Sequence, residues 1–195
     1  RINVLPEGFD KEKRNIVIFN GTLDEYEGVE WGCNKIYKPD QTAGIVSILK
    51  AMQSDNDFFF YLRVHPNMKN LPRTTSQLKD IEDLSAQFSN LCVIWPEENI
   101  DSYCLIDNCE KTITFGSSTG LEATYWGKPS ILADYSLFEA FDYAYRPDSH
   151  EDLLTLLREQ NLRPKSPDVV AMALYSVGPP RHTPFKYVEE SSDNN

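Results

Sequence analysis

Between Thr112 and Leu132 the chain spells out a strand, a small-residue turn, a helix and a second strand in one short run: Thr112-Ile-Thr-Phe-Gly-Ser-Ser-Thr-Gly-Leu-Glu-Ala-Thr-Tyr-Trp-Gly-Lys-Pro-Ser-Ile-Leu132. A strand that passes into a helix and returns as another strand is the building unit of a parallel sheet. Thr112 to Phe115 is β-branched and aromatic, and it stops at Gly116, where the backbone needs freedom to turn. Ser117, Ser118 or Thr119 can cap the helix that follows. Its first N–H groups and its dipole then favour a bound phosphate. A capped helix that binds nothing is the alternative for such a turn taken alone.

The same alternation runs through most of the chain. Strands are expected over 15–19, 58–64, 91–95, 112–115 and 130–133, and helices over 41–52, 75–88, 100–108 and from Thr119. Further helices are expected over 137–144, over 150–160 behind Ser149 as cap, and over 167–177. This pattern predicts an α/β fold, a Rossmann-like parallel sheet flanked by helices. Residues 178–195 are rich in proline and then acidic and polar, and read as an extended tail.

A second polar segment ends a buried strand: Phe58-Phe-Phe-Tyr-Leu-Arg-Val-His-Pro-Asn67. Ligands of open parallel sheets bind beyond the carboxyl ends of the strands, which is where Arg63, His65, Pro66 and Asn67 fall. Pro66 cannot continue a central strand, so the chain leaves the sheet with His65 at the rim. A lone histidine is ordinarily structural. Two polar strand ends converging on one sheet edge favour the functional reading.

Composition excludes several classes. The 195 residues are 41% hydrophobic and 25% charged, enough for one sizeable core. The net charge of -11 argues against nucleic acid or an anionic membrane as the main partner. No apolar run reaches membrane-spanning length and no signal peptide is visible, so a cytoplasmic location is expected, with peripheral attachment at the inner membrane as an option. The opening at Arg1 without methionine reads as the mark of a fragment. Cys33, Cys92, Cys104 and Cys109 form no CxxC pair and read as reduced core thiols. No metal and no cofactor are expected.

Four weaker motifs compete. Asp55-Asn-Asp57 has the form of a metal-binding DxD, but it precedes its strand and reads as a solvated turn. Gly116-Ser-Ser-Thr-Gly120 matches a nucleophile elbow with Ser118 as nucleophile, followed by Asp142 and by His150 or His182 in the order a hydrolase needs. Too few strands follow it to carry that fold. Glu97 and Glu98 stand at a third strand end, where a helix-capping role is the simpler account. Asn20-Gly-Thr22 has the form of a glycosylation acceptor and reads as a strand-end turn.

Taken together, Arg63-Val-His-Pro-Asn67 and Gly116-Ser-Ser-Thr-Gly-Leu-Glu-Ala-Thr-Tyr-Trp-Gly-Lys-Pro129 resemble the nucleotide-binding half of bacterial GT-B glycosyltransferases. The likeness is to capsule polysaccharide biosynthesis proteins and β-Kdo transferases, and it runs from about Asn15 to Phe185. The resemblance implies one half of a GT-B architecture, with residues 1–185 as the nucleotide-sugar-binding domain and 186–195 as a tail. It implies that His65 contacts the donor phosphate, with Arg63, Pro66 and Asn67 beside it. Gly116, Ser117, Ser118, Thr119 and Gly120 would bind the same phosphate, and Glu122 a ribose or base. The stretch Thr22-Leu-Asp-Glu25 resembles the polar loop after the first strand, with Glu25 as a catalytic participant alongside His65.

The resemblance also implies the partners: a nucleotide-sugar donor, a glycan or glycolipid acceptor, and an acceptor-binding domain outside this chain. One helix start and one histidine suit the single phosphate of a CMP-sugar such as CMP-Kdo, and no G-x-G-x-x-G pyrophosphate loop is present. A UDP-sugar or CDP-glycerol dependent transferase or an epimerase is the alternative, followed by a serine hydrolase using Ser118 and by a non-catalytic α/β binding module.

Overall fold

The computed structural model describes residues 3–22, 36–72 and 75–177. Five parallel strands form one sheet in the order β3-β2-β1-β4-β5, with β1 Arg14–Phe19, β2 Phe58–Arg63, β3 Leu91–Ile94, β4 Lys111–Thr114 and β5 Ser130–Leu132. The helices are α1 Gln41–Met52, α2 Ser76–Gln87, α3 Ser102–Asn108, α4 Thr119–Tyr125, α5 His150–Arg158 and α6 Pro167–Val177. The expected Rossmann-like layering is the observed one. Strand order reverses beside β1: the chain builds outward through β2 and β3, then crosses back to lay β4 on the other side. That crevice between the ends of β1 and β4 is the switch point where such sheets take ligands.

Alternate residues of each strand point to opposite faces, and both faces are apolar. Ile16, Ile18, Phe60, Leu62, Ile113 and Ile131 pack against Ile45, Ile48 and Leu49 of α1, Leu78 and Ile81 of α2, and Leu153 and Leu157 of α5. On the other face, Val17, Phe19 and Tyr61 meet Leu105 and Ile106 of α3. Leu121 of α4 and Leu132 of β5 pack with Val170 and Ala173 of α6. Burying one such side chain contributes roughly 1.5–3 kcal/mol, so the two apolar layers hold the strand ends in place.

Local signals set most boundaries. Asp40 caps α1 by accepting from Ala43 N at 3.0 Å, and Ser149 caps α5 by accepting from Asp152 N at 3.1 Å. The end of α4 is a Schellman motif: Gly127, at φ 75°, donates to Thr124 O and Lys128 N donates to Ala123 O.

Two expectations need correcting. Residues 137–144 form no helix. Phe138 N turns back to Ser136 Oγ at 3.2 Å, Tyr143 is buried against α4 and α6, and Tyr145 bridges to Ile131 at the edge of β5. Side-chain capture of the backbone and strand pairing override the helical spacing there. Asp101, and neither Glu97 nor Glu98, caps α3, accepting from Tyr103 N and Cys104 N. Glu98 instead accepts from Trp95 N at 2.7 Å across its own turn. The tail, with His182, and the segment holding Glu25 and Cys33 lie outside the described residues. Among the described residues no helix is long and apolar enough to cross a membrane.

Candidate functional site

Three strand ends reach one level. Phe19 of β1 is in register with Arg63 of β2 on one side and with Thr114 of β4 on the other. Neighbouring strands lie about 4.8 Å apart, so the ends of β2 and β4 stand roughly 10 Å apart across β1. Beyond that level the chain places Asn20, Gly21 and Thr22 after β1, His65 after β2, and the turn Gly116 to Thr119 after β4.

The turn after β4 forms because Gly116 takes φ 78°, a left-handed conformation that side chains resist. Phe115 N still donates to Phe19 O at 3.0 Å, which ties the turn to the end of β1. Ser118 occupies the N-cap position of α4, yet its side chain makes no capping bond and is exposed. Ser117 takes that role: its Oγ accepts from Thr119 N at 3.3 Å and lies 2.9 Å from Thr119 Oγ1. Gly120 N donates to Ser117 O at 3.3 Å. The expected supply of free helix N–H groups is therefore reduced: Thr119 and Gly120 are engaged, and Ser117 N and Ser118 N are the unengaged pair among the described residues. Glu122, in the first turn, adds a carboxylate that itself complements the helix dipole.

His65 sits at the start of a short 310 turn, Pro66–Asn70, where its Nδ1 accepts from Asn67 N at 3.3 Å. In a neutral imidazole one nitrogen accepts while the other carries the proton, so this contact leaves Nε2–H as the remaining donor. Pro66 and Asn67 are exposed on the same turn. Arg63 is directed elsewhere. Its side chain shares the face of Tyr61, and its Nη1 donates to the carbonyl of Trp95 at the end of β3. Burial lowers its pKa, with Glu98 acting in the opposite sense. The structure thus sets His65 and the Ser117 to Thr119 turn beyond the strand ends on either side of β1, while Arg63 Nη1 reaches the Trp95 carbonyl at the end of β3.

The polar groups that the strand patterns did not single out are amides. Asn20 Oδ1 accepts from His65 N at 3.0 Å, and Asn20 Nδ2 donates to Gly21 O at 3.0 Å. Gln41, the first residue of α1, holds the same glycine from both sides: its Oε1 accepts from Gly21 N and its Nε2 donates to Gly21 O, both at 2.9 Å. Gln77 Nε2 adds a third donor to that carbonyl at 3.2 Å. Thr22 is buried beside them with its hydroxyl unpartnered among the described residues. The available signal was an asparagine directly after the apolar run Ile16 to Phe19, which needs partners once buried.

The weaker motifs are not assembled into sites. His150 Nδ1 lies 2.8 Å from the Tyr37 hydroxyl, and Asp142 pairs with Lys165 at 3.0 Å, so neither joins Ser118 in a triad. Asp55 Oδ1 accepts from Asp57 N at 3.4 Å in the turn before β2. Among the described residues no cluster of acidic, histidine and cysteine side chains could hold a metal ion. A cleft of about 860 Å³ between α1 and α5, lined in part by Tyr37, Lys50 and His150, shares no lining residue with the strand-end site.

No protein-family model and no curated protein matches the sequence. Among solved structures, UDP-GlcNAc 2-epimerase from Methanocaldococcus jannaschii aligns with a TM-score of 0.53 and 14% identity, over 87% of this chain and 47% of that one. The same enzyme in complex with UDP-GlcNAc and UDP aligns at 0.51 and 13%, over 86% of this chain and 46% of that one. Thermosulfurimonas dismutans KpsC, beta Kdo 2,7 transferase, aligns at 0.49 and 17%, over 83% of this chain and 45% of that one. The chain spans a little under half the length of these structures. At such identities the likeness is one of fold: this chain is a Rossmann-like unit with the architecture of one half of a GT-B protein.

Proposed function

We propose that this chain is the donor-binding half of a glycosyltransferase, taking a nucleotide sugar at the carboxyl ends of β1, β2 and β4. The observation that carries the reading is the shared register of Phe19 with Arg63 and Thr114, which sets His65 and the Ser117 to Thr119 turn on either side of β1. Residues 1–185 then act as the nucleotide-sugar-binding unit, and the acceptor binds a domain outside this chain.

In this reading His65 Nε2–H and the hydroxyls of Ser117, Ser118 and Thr119 meet the donor phosphate, together with the N–H groups of Ser117 and Ser118. These donors stabilise the charge that grows on the phosphate as the glycosidic bond breaks. With Asn67 N on its Nδ1, the imidazole of His65 offers the phosphate its Nε2 edge. Glu25, which follows β1 in the sequence, and groups on the other half act on the sugar.

The finer reading is a CMP-sugar, such as CMP-Kdo in surface polysaccharide synthesis. One imidazole and one hydroxyl turn with two unengaged N–H groups are proportionate to one phosphate. A UDP-sugar is the second reading, drawn from the fold match to an epimerase that carries UDP-GlcNAc and UDP. Calorimetric titration of CMP, UMP, CDP and UDP separates the two. Selective CMP binding that is lost in His65→Ala and Ser117→Ala supports the finer reading, a UDP preference supports the second, and no binding by any nucleotide overturns both.

A further inference from the structure

We infer that Asn20 is a positioning residue for His65, and that Gln41 and Gln77 exist to hold Asn20's strand end in place. The inference rests on the reading of His65 as a phosphate donor, but its first readout does not need a ligand.

Asn20, Gln41 and Gln77 are 1%, 2% and 3% exposed. Burying a primary amide carries a desolvation penalty that an apolar side chain of the same size would avoid, and the penalty is offset only when its donors and acceptors are used. Here three amides from distant parts of the chain converge on one residue: Gly21 receives both ends of Gln41, one donor from Gln77 and one from Asn20. Such a clamp leaves the end of β1 a single position.

That position is passed to His65 by one bond. Asn20 Oδ1 accepts from His65 N at 3.0 Å, while the other end of the same amide donates to Gly21 O and contacts Met68 Sδ at 3.3 Å. Val64 N donates to Ile94 O, so β2 is pinned up to the residue before His65. The Asn20 bond then fixes where the main chain goes next. With His65 N held, its Nδ1 lies within reach of Asn67 N, and in a neutral ring this puts the proton on Nε2. Without that bond, the backbone at His65 can rotate and the imidazole loses its single tautomer and direction.

The test uses the full chain labelled with ¹⁵N and compares Asn20→Ala, which removes acceptor and donor, with Asn20→Asp, which keeps the acceptor and removes the donor. In the free protein, we expect the His65 amide to lose hydrogen-exchange protection in Asn20→Ala, and its imidazole ¹⁵N signals to move from an Nε2–H tautomer towards a mixture. Asn20→Asp restores both. A purely structural role for the Gly21 and Met68 contacts predicts that the two variants behave alike. CMP binding weakens about tenfold in Asn20→Ala, the scale of one lost hydrogen bond, and recovers in Asn20→Asp. Unchanged His65 signals in Asn20→Ala, or an Asn20→Asp protein indistinguishable from Asn20→Ala, overturns the inference. If Asn20→Ala does not fold, the Asn20→Asp spectrum decides: a protected His65 amide with one tautomer supports it, and their loss overturns it. If the wild-type chain binds no nucleotide while His65 responds as expected, the donor-binding reading fails and the positioning role stands.

Discussion

Gly44 and Tyr37 are packed so closely that a Cβ built on Gly44 would stand 2.7 Å from Tyr37 Cγ. The same Cβ would lie 2.9 Å from Phe115 Cε1, and Phe115 immediately precedes the Gly116 turn. Tyr37 also reaches His150 through its hydroxyl, so three elements meet over the one residue of α1 that has no side chain. Gly44→Ala gains about 1 kcal/mol of helix propensity and loses about 1–3 kcal/mol to overpacking. The net expectation is a protein less stable by about 1 kcal/mol in urea. A variant more stable than the parent would contradict the packing described.

At the amino ends of the strands, Lys111 is 1% exposed and its Nζ donates to Leu157 O at 3.0 Å and Glu159 O at 2.6 Å, besides pairing with Glu110. Arg14 joins it, meeting Glu110 with both Nε and Nη2 and reaching Leu157 O at 3.2 Å. These two cations cap the carbonyl end of α5. Lys111→Ala takes one cation from Glu110 and leaves the carbonyls of Leu157 and Glu159 only their longer contacts with Arg14, and we expect a loss of about 3 kcal/mol by chemical denaturation. Lys111→Met keeps the volume and loses less. Equal losses in the two would show that the lost donor and charge, not the lost volume, govern the site.

Glu110 makes the cluster sensitive to acid. Partial burial pushes its carboxyl up, and the hydrogen bonds from Arg14 and Lys111 more than reverse this, leaving its pKa below the ordinary value. The folded state therefore binds that proton less readily than the unfolded state. The stability it contributes is present above the unfolded carboxyl pKa of about 4.3 and is lost as pH falls through the folded value. Glu110→Gln should flatten the stability profile below the unfolded carboxyl pKa of about 4.3 by about the contribution of this one group; a profile as steep as the parent's would rule it out as the titrating group.

Cys109 is buried at the end of α3, and burial, as the largest influence, pushes its thiol up to about 12. At pH 8 it is protonated and shielded, so a thiol reagent should leave it unmodified in the folded chain and label it after unfolding in urea. Mass spectrometry of the digested protein reads this directly. Rapid labelling of Cys109 under native conditions would mean that α3 does not stay docked on β1.

The fold was legible because its signals are local and mutually consistent. Each strand is a short apolar or β-branched run, and Asp40 and Ser149 mark helix starts by capping chemistry that needs no tertiary contact. The region after β5 was not legible for the converse reason. Phe138, Phe141 and Tyr143 have helical spacing, but pairing of Tyr145 with Ile131 decides the path, and that contact is invisible without the sheet edge. At the site, His65 and the serine turn were readable as strand ends. The amide clamp was not, because Asn20, Gln41 and Gln77 are separated in sequence and become a group only when α1 and α2 dock beside β1. Arg63 neighbours His65 in sequence, and its contact with the Trp95 carbonyl at the end of β3 becomes visible only once β2 and β3 pair.

The central claim is that a nucleotide binds at the switch point between β1 and β4. Its most direct test is an amide ¹H–¹⁵N titration of the full chain with CMP, followed residue by residue. The account predicts that Gly21, His65, Asn67, Gly116, Ser117, Ser118 and Thr119 shift together along one saturable curve, and that His65→Ala abolishes the response. Shifts confined to the cleft between α1 and α5, around Lys50 and Glu151, with the strand-end residues unmoved, would contradict it.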